Sequence, residues 1–180
     1  IWVETDEPSE VEVRLGATSH RARTWSAHGH HYALVRIEDL TPATTTEYSV
    51  HLDGQQVWPP ADSAFPPSVI RTPGPDAPFR LAFGSCRRSA PFDAECFDAI
   101  GADALVALAA RMTQQPTADW PDALLMLGDQ VYADEPSEHI CARLRERHRS
   151  QGRNVDGEVR DEILDYEEYT WLYEEAWMEP

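Results

Sequence analysis

The chain has 180 residues and a formal net charge of −17, with 15 basic and 32 acidic residues. This length accommodates one or two domains, and a hydrophobic content of 42% is enough for a packed core, which excludes a disordered acidic tail. The acidic charge argues against nucleic acid and anionic membranes as partners, because a phosphate backbone binds a basic surface. No apolar run approaches the roughly 20 residues that cross a bilayer.

Residues 1–72 are predicted to form an antiparallel β-sandwich, because short extended runs separated by turns occur without helical periodicity. The predicted strands are Ile1–Glu4, Val11–Leu15, Tyr32–Ile37, Tyr48–Leu52 and Val69–Arg71. Asp53-Gly54 predicts a hairpin turn, since both residue types tolerate a positive φ. The segment Leu40–Tyr48 resembles the tyrosine corner of fibronectin type III domains, in which the Tyr hydroxyl bonds back to the preceding connection.

Residues 73–78 are rich in Pro and Gly and are predicted to be a linker. After this linker, the runs Phe79–Phe83 and Ala123–Leu127 are predicted to be strands, with a helix capped by Asp103 between them. This order is typical of a βαβ unit with parallel strands, and residues 79–180 are therefore assigned to an α/β domain.

Two further helices are predicted in the second half of the chain. Ser137 can cap a helix that ends near Ser150, and Asp161 can start another that ends near Trp177. The first has arginines at alternate positions and the second lies in a strongly acidic segment, so we expect ion pairs between the two.

Three residues with metal-binding side chains follow the two predicted parallel strands. Cys86 follows the first strand, Asp129 follows the second, and Tyr132 lies three residues further on. Because ligand sites of open parallel sheets lie beyond the carboxyl ends of the strands, we expect thiol, carboxylate and phenol to converge if the strands are neighbours. Thiolate and phenolate favour a transition metal such as ferric iron over magnesium, and a bound cation would ionise both groups.

Three segments carry a resemblance to a known family. The sequence FGSCR (residues 83–87), the sequence PDALLMLGDQVYADE (residues 121–135) and the aromatic sequence YEEYTWLYEEAW (residues 166–177) resemble the alkaline phosphatase D (PhoD-like) family of metallophosphoesterases. The resemblance spans nearly the whole chain, since that family also has a β-sandwich ahead of its phosphatase domain. It implies a β-sheet core flanked by helices, and hydrolysis of phosphomonoesters or phosphodiesters with one ferric ion and calcium.

The resemblance also implies roles for individual residues. Cys86 and Tyr132 would ligate the iron, and Asp129 would bridge the iron to the second metal as the catalytic carboxylate. Arg87 is a candidate contact for the substrate phosphate, with a solvated surface position as the alternative. In such a site the metal ions, rather than the acidic molecule as a whole, would attract the anionic ester.

Two alternatives to this interpretation stay open. Purple acid phosphatases also combine a β-sandwich with a GDxxY motif, but they carry an Asp where this chain has Ser85-Cys86, which favours the PhoD-like family. The Asp and His residues that complete the family's metal sites would follow Pro180, so we expect this segment to be the first part of an enzyme and inactive alone. The other alternative is a non-catalytic sandwich interaction module fused to a degenerate phosphatase remnant.

The remaining candidate residues have structural interpretations. His28, His30 and His31 form a His-rich tract of the kind that binds metals, but a position in a sandwich loop favours a structural role. Cys96 and Cys141 have no CxxC partner and are predicted to be small packing residues. No leader is visible in this segment, so neither export nor a cytoplasmic location is assigned.

Overall fold

The computed structural model describes residues 1–88, 98, 101–155, 158, 159 and 161–177. The chain divides into two compact units. The sandwich unit comprises Ile1–Arg80 with Trp120–Asp122, and the α/β unit comprises Leu81–Asp119 with Ala123–Pro180. Within the described ranges, no helix is long and apolar enough to cross a membrane.

Eight antiparallel strands form the first 80 residues of the sandwich unit. They are β1 (Trp2–Thr5), β2 (Glu10–Leu15), β3 (Thr18–Arg23), β4 (Trp25–Ala27), β5 (His30–Leu34), β6 (Thr44–Leu52), β7 (Gln55–Trp58) and β8 (Val69–Thr72). One sheet has the order β1-β5-β4, and the other has the order β3-β2-β6-β7, with β8 paired to the first half of β6. The five predicted strands are present with shifted ends, while β3, β4 and β7 were not predicted.

The core of the sandwich lies between these two sheets. Val11 and Val13 of β2 and Val50 of β6 pack against Ala33 of β5 and the adjacent Val35, and all five side chains are almost completely buried. Successive side chains of a strand point to opposite faces, so the apolar residues at alternate positions of β2 reach this core. The antiparallel sandwich predicted from the turn spacing is therefore confirmed.

The outer face of the larger sheet carries a compact ion cluster. The Glu12 carboxylate, only 7% exposed, accepts hydrogen bonds from Nε and Nη2 of Arg14 at 3.0 and 2.7 Å. It also accepts hydrogen bonds from Nε and Nη2 of Arg21 at 3.2 and 2.8 Å. These bonds lower the pKa of Glu12 from 4.5 to about 2, because both guanidinium groups favour the ionised carboxylate.

The connections of the sandwich confirm one turn prediction and correct another. Asp53 and Gly54 have φ of 48° and 88°, which is the left-handed pair that a tight hairpin requires. The tyrosine corner was predicted wrongly, because the Tyr48 hydroxyl has no hydrogen-bond partner among the residues that the structure describes. Thr72 ties the connection instead, since its Oγ1 donates to the Thr41 carbonyl at 2.5 Å and accepts from the Thr44 amide at 3.1 Å.

Within its described residues, and besides the 3-10 helix Thr117–Asp119, the α/β unit contains two parallel strands and three α-helices. In chain order these are β9 (Leu81–Gly84), α1 (Ala104–Thr113), β10 (Ala123–Met126), α2 (Glu138–Ser150) and α3 (Tyr166–Trp177), with the short pair β11 (Asn154–Val155) and β12 (Glu158–Val159) between α2 and α3. The strands β9 and β10 pair in parallel with Leu81 opposite Ala123 and Gly84 opposite Met126. The predicted strand–helix–strand order and the parallel pairing are confirmed.

The helix caps explain where the helices begin. The side chains of Asp103 and Ser137 accept hydrogen bonds from the first turns of α1 and α2, as predicted. The helix α3 begins at Tyr166 and not at Asp161, so that start was predicted wrongly. Asp165 is its cap, because Asp165 Oδ1 accepts from the Glu168 amide at 3.1 Å.

Helices α2 and α3 pack through a second core, formed by Ile140, Leu144, Trp171 and Leu172. A fully buried pair extends it, since His148 Nε2 lies 2.9 Å from Glu168 Oε1 and neither side chain is exposed.

Candidate metal centre

The backbone brings the two loops after β9 and β10 together. Pairing continues beyond the ends of the strands, because the Leu127 amide donates to the Gly84 carbonyl at 2.7 Å and the Cys86 amide donates to the Gly128 carbonyl at 2.9 Å. These bonds fix the register of Cys86 against Asp129, although the two residues are 43 positions apart in the chain.

Both residues adopt an uncommon backbone conformation. Cys86 has φ of 58° and Asp129 has φ of 50°, in the left-handed region that few non-glycine residues occupy. The Cys86 thiol donates a hydrogen bond to Asp129 Oδ2, with a distance of 3.2 Å between Sγ and the oxygen. Two left-handed residues whose side chains meet at one point are typical of sites where local strain is retained for a function.

Tyr132 completes the cluster. Burial raises the pKa of the Tyr132 phenol, the neighbouring Cys86 and the negative charge of Asp129 raise it further, and Arg88 lowers it. With its pKa raised in this way, the phenol is protonated at neutral pH. The structure brings Cys86, Asp129 and Tyr132 together, so the three residues singled out in the sequence form one site.

The donor set is compatible with a transition-metal ion. The Cys86 sulfur and the Asp129 carboxylate already lie within hydrogen-bond distance of each other, at 3.2 Å. A soft thiolate, a phenolate and a carboxylate suit iron better than magnesium.

By themselves, the three residues would make only part of a metal site. The part of the chain that the structure describes contains no group of three or more His, Cys, Asp and Glu side chains that could hold an ion. The cluster contributes two of those residue types and one phenol. Calcium takes six to eight oxygen ligands, so Asp129 alone would supply a small part of a calcium site.

Arg87 is occupied by partners inside the α/β unit. Its guanidinium forms an ion pair with Asp103 Oδ2 at 3.0 Å, and the two side chains are only 8% and 5% exposed. Its Nη1 donates to the Ala176 carbonyl, and its guanidinium carbon lies 4.4 Å from the centre of the Trp177 ring. The neighbouring Arg88 is 59% exposed and pairs with Glu135 at 3.3 Å.

Trp177 also contacts the loop after β10, which carries Asp129. Its indole Nε1 donates to the Gln130 carbonyl at 3.1 Å, one residue after Asp129. The sequence assigned Trp177 to the core because aromatic residues recur at helical spacing in α3. That pattern contains no signal for a contact with the two loops, and the partners of Arg87 were also missed.

The other candidates do not join this site. His30 Nδ1 lies 2.6 Å from Glu4 Oε1, and His31 Nδ1 lies 2.8 Å from Ser26 Oγ, so these two imidazoles have separate partners. Burial raises the pKa of the Cys141 thiol, which keeps it protonated. Cys96 lies outside the described residues.

The ion pairs expected between α2 and the acidic segment are present. They join Arg143 to Glu174 at 3.1 Å, Arg145 to Asp161 at 2.9 Å and Arg147 to Asp165 at 3.1 Å.

Comparison with known proteins adds one finding. Residues 1–70 match a family described as a domain of unknown function (DUF7800). This match ends before Cys86 and therefore carries no information on the candidate metal centre. No curated protein and no solved structure matches the chain.

Proposed function

We propose that this chain belongs to a PhoD-like metallophosphoesterase and contributes half of a site that hydrolyses phosphomonoesters or phosphodiesters. The observation that carries the proposal is the convergence of Cys86, Asp129 and Tyr132 at the carboxyl ends of β9 and β10. An antiparallel β-sandwich followed by an α/β domain, with sequence motifs that resemble those of that family in the loops after β9 and β10, supports the same proposal.

In this proposal the three side chains have distinct roles. Cys86 Sγ, the Tyr132 phenol oxygen and the Asp129 carboxylate would hold ferric iron, and Asp129 would also contribute to holding calcium. Such a metal pair supplies positive charge for the phosphoryl oxygens and lowers the pKa of water. The thiol proton that Cys86 now donates to Asp129, and the phenol proton of Tyr132, must be released on metal binding.

This proton release gives the site a pH dependence. Because burial and nearby negative potential raise the pKa of Tyr132, protons compete with the metal for the phenol oxygen at neutral pH. The apparent affinity for iron should therefore increase as the pH rises.

The exposure of the parallel strands supports the view that more of this domain is needed. Phe83 is 69% exposed and Leu125 is 47% exposed, although parallel sheets are normally covered on both faces. In this proposal, further strands and the remaining Asp, Asn and His ligands come from outside residues 1–180.

The second candidate function, a sandwich interaction module with a degenerate phosphatase remnant, is supported by the incomplete ligand set.

Metal content separates the two candidates. Iron and calcium per chain would be measured after gel filtration, together with hydrolysis of aryl phosphomonoesters and phosphodiesters, in the longest natural chain that contains these residues. We expect stoichiometric iron and hydrolysis of at least one ester class. Cys86→Ser and Tyr132→Phe should lose iron and activity together, whereas Cys141→Ser should retain both.

Two outcomes would contradict the enzyme. Negligible iron after loading with ferric salt and calcium would favour the degenerate remnant. Iron that is retained equally by Cys86→Ser, Tyr132→Phe and Cys141→Ser would place the metal elsewhere in the protein.

A further inference from the structure

Arg87 is a buried cation next to a predicted metal ligand. Burying a charge is costly unless the charge is paired and hydrogen-bonded. Arg87 meets this condition through Asp103, the Ala176 carbonyl and the face of Trp177, which together occupy its guanidinium. A guanidinium held in this way is poorly placed to bind a substrate phosphate. Its contacts instead point to a structural role inside the α/β unit.

Asp103 connects Arg87 to the start of α1. Its Oδ1 accepts from the Leu105 amide at 2.8 Å, as a helix cap does, while its Oδ2 accepts from Arg87 Nε at 3.1 Å. One carboxylate therefore holds both the first turn of the helix and the residue that follows Cys86. Because the Asp103 side chain is itself nearly buried, the ion pair that holds Arg87 has little freedom to move.

Trp177 connects the same residue to the second ligand loop. Its ring lies over the Arg87 guanidinium, and its indole N–H donates to the Gln130 carbonyl. Arg87 follows Cys86 and Gln130 follows Asp129, so the last turn of α3 contacts the neighbour of each predicted ligand. These contacts join the two loops without a metal ion.

We propose that Arg87, held by Asp103 and Trp177, is a positioning residue that keeps the Cys86 sulfur and the Asp129 carboxylate at their observed separation of 3.2 Å. Its significance for catalysis rests on the function proposed above, but the placement of the two side chains does not. Arg87 acts through its neighbours and touches no reacting atom in this assignment.

A disulfide can measure this placement without metal. In a chain with Cys96→Ser and Cys141→Ser, the substitution Asp129→Cys places a second thiol opposite Cys86. The fraction of chains in which Cys86 forms a disulfide with the introduced thiol is measured in buffers with increasing ratios of oxidised to reduced glutathione. This fraction gives the effective concentration of one thiol at the other. We expect Arg87→Met to lower this effective concentration about tenfold or more, because the loop loses its anchor.

Arg88→Met is the matched control. Arg88 is the next residue of the same loop, but it is 59% exposed and pairs with Glu135 at 3.3 Å. We expect this variant to change the effective concentration less than about twofold, as for an exposed ion pair. Equal values for Arg87→Met, Arg88→Met and the parent would overturn the proposal.

Two milder variants keep the test decisive if Arg87→Met does not fold. Trp177→Phe keeps an aromatic ring but removes the indole donor to Gln130, and it should lower the effective concentration in the same direction. Arg87→Lys keeps the charge but loses the planar fork and should recover only part of the parent value. Parent values in both folded variants would overturn the proposal.

Iron binding then separates this inference from the proposed function. With the natural Asp129, Arg87→Met should weaken iron binding about 10- to 100-fold. Arg149→Met, which removes an exposed ion pair with Glu146 on α2, should leave iron binding unchanged. Altered thiol placement in a protein that binds no iron would contradict the metallophosphoesterase and keep the positioning role. Normal iron binding with unaltered thiol placement in Arg87→Met would support the metal site and overturn the positioning role of Arg87.

Discussion

Glu12 is kept ionised on the outer face of the sandwich by two arginines. Its pKa of about 2 lies below the ordinary value of 4.5, because hydrogen bonds from Arg14 and Arg21 favour the carboxylate. A group whose pKa is lower in the folded state stabilises that state above its unfolded pKa. This contribution is therefore complete above about pH 4.5 and is lost as the pH falls towards 2.

Glu12→Gln should remove this pH-dependent contribution. We expect the variant to have a lower melting temperature than the parent at pH 7, and the difference to shrink between pH 4.5 and 2. Thermal unfolding followed by circular dichroism over that range would measure it. Glu47→Gln, at an exposed position of β6, is the control and should leave the melting temperature unchanged. A difference that is constant down to pH 2 would contradict the assigned pKa.

The candidate site shows which residues sequence patterns can find. Cys86 and Asp129 could be predicted to meet because each follows a strand, and the ends of adjacent parallel strands lie together. Arg87 could not be assigned, because its partners Asp103 and Ala176 lie 16 and 89 positions away in the chain. Periodicity and turn composition describe local structure and contain no information on such distant partners.

The same limit applies to whole elements. The strand β3 (Thr18–Arg23) was missed because it has few apolar side chains, and its position is set by pairing with β2. The start of α3 was misplaced because Asp161 and Asp165 are both capable caps. The structure uses Asp165, since Glu168 Oε2 also accepts from the Leu164 amide at 2.7 Å and so closes the first turn.

The junction of α2 and α3 depends on a buried carboxylate. Glu168 is fully buried and lies 2.9 Å from His148, 3.3 Å from Arg147 and 3.3 Å from Arg153. Glu168→Gln leaves these side chains without their shared anion, and breaking a buried pair costs about 3–5 kcal/mol. We expect this loss in the free energy of unfolding of the α/β unit, measured with urea.

An exposed ion pair between the same helices is the matched control. Glu174 pairs with Arg143 at 3.1 Å, but these side chains are 59% and 42% exposed. Glu174→Gln should therefore cost less than about 1 kcal/mol. Equal losses in Glu168→Gln and Glu174→Gln would show that the buried carboxylate stabilises the α/β unit no more than the exposed one.

At the scale of the whole molecule, the charge of −17 opposes compaction through repulsion between acidic groups. Ten of the 32 acidic residues lie in residues 156–180, and arginines of α2 pair with several of them. The two units therefore differ in what stabilises them. The sandwich relies on an aliphatic core, and the α2–α3 region combines apolar packing with ion pairs.

Separate cores predict separate unfolding. Val13 belongs to the sandwich core and Leu144 to the α2–α3 core, and the two clusters have no residue in common. Leu144→Ala should cost about 2–5 kcal/mol in the α/β unit, and Val13→Ala should destabilise the sandwich unit. Because mutations without shared partners act independently, each variant should shift a different transition in urea unfolding. Hydrogen exchange of β2 and α2 amides would assign the transitions, and a single transition shifted by both variants would show that the units unfold together.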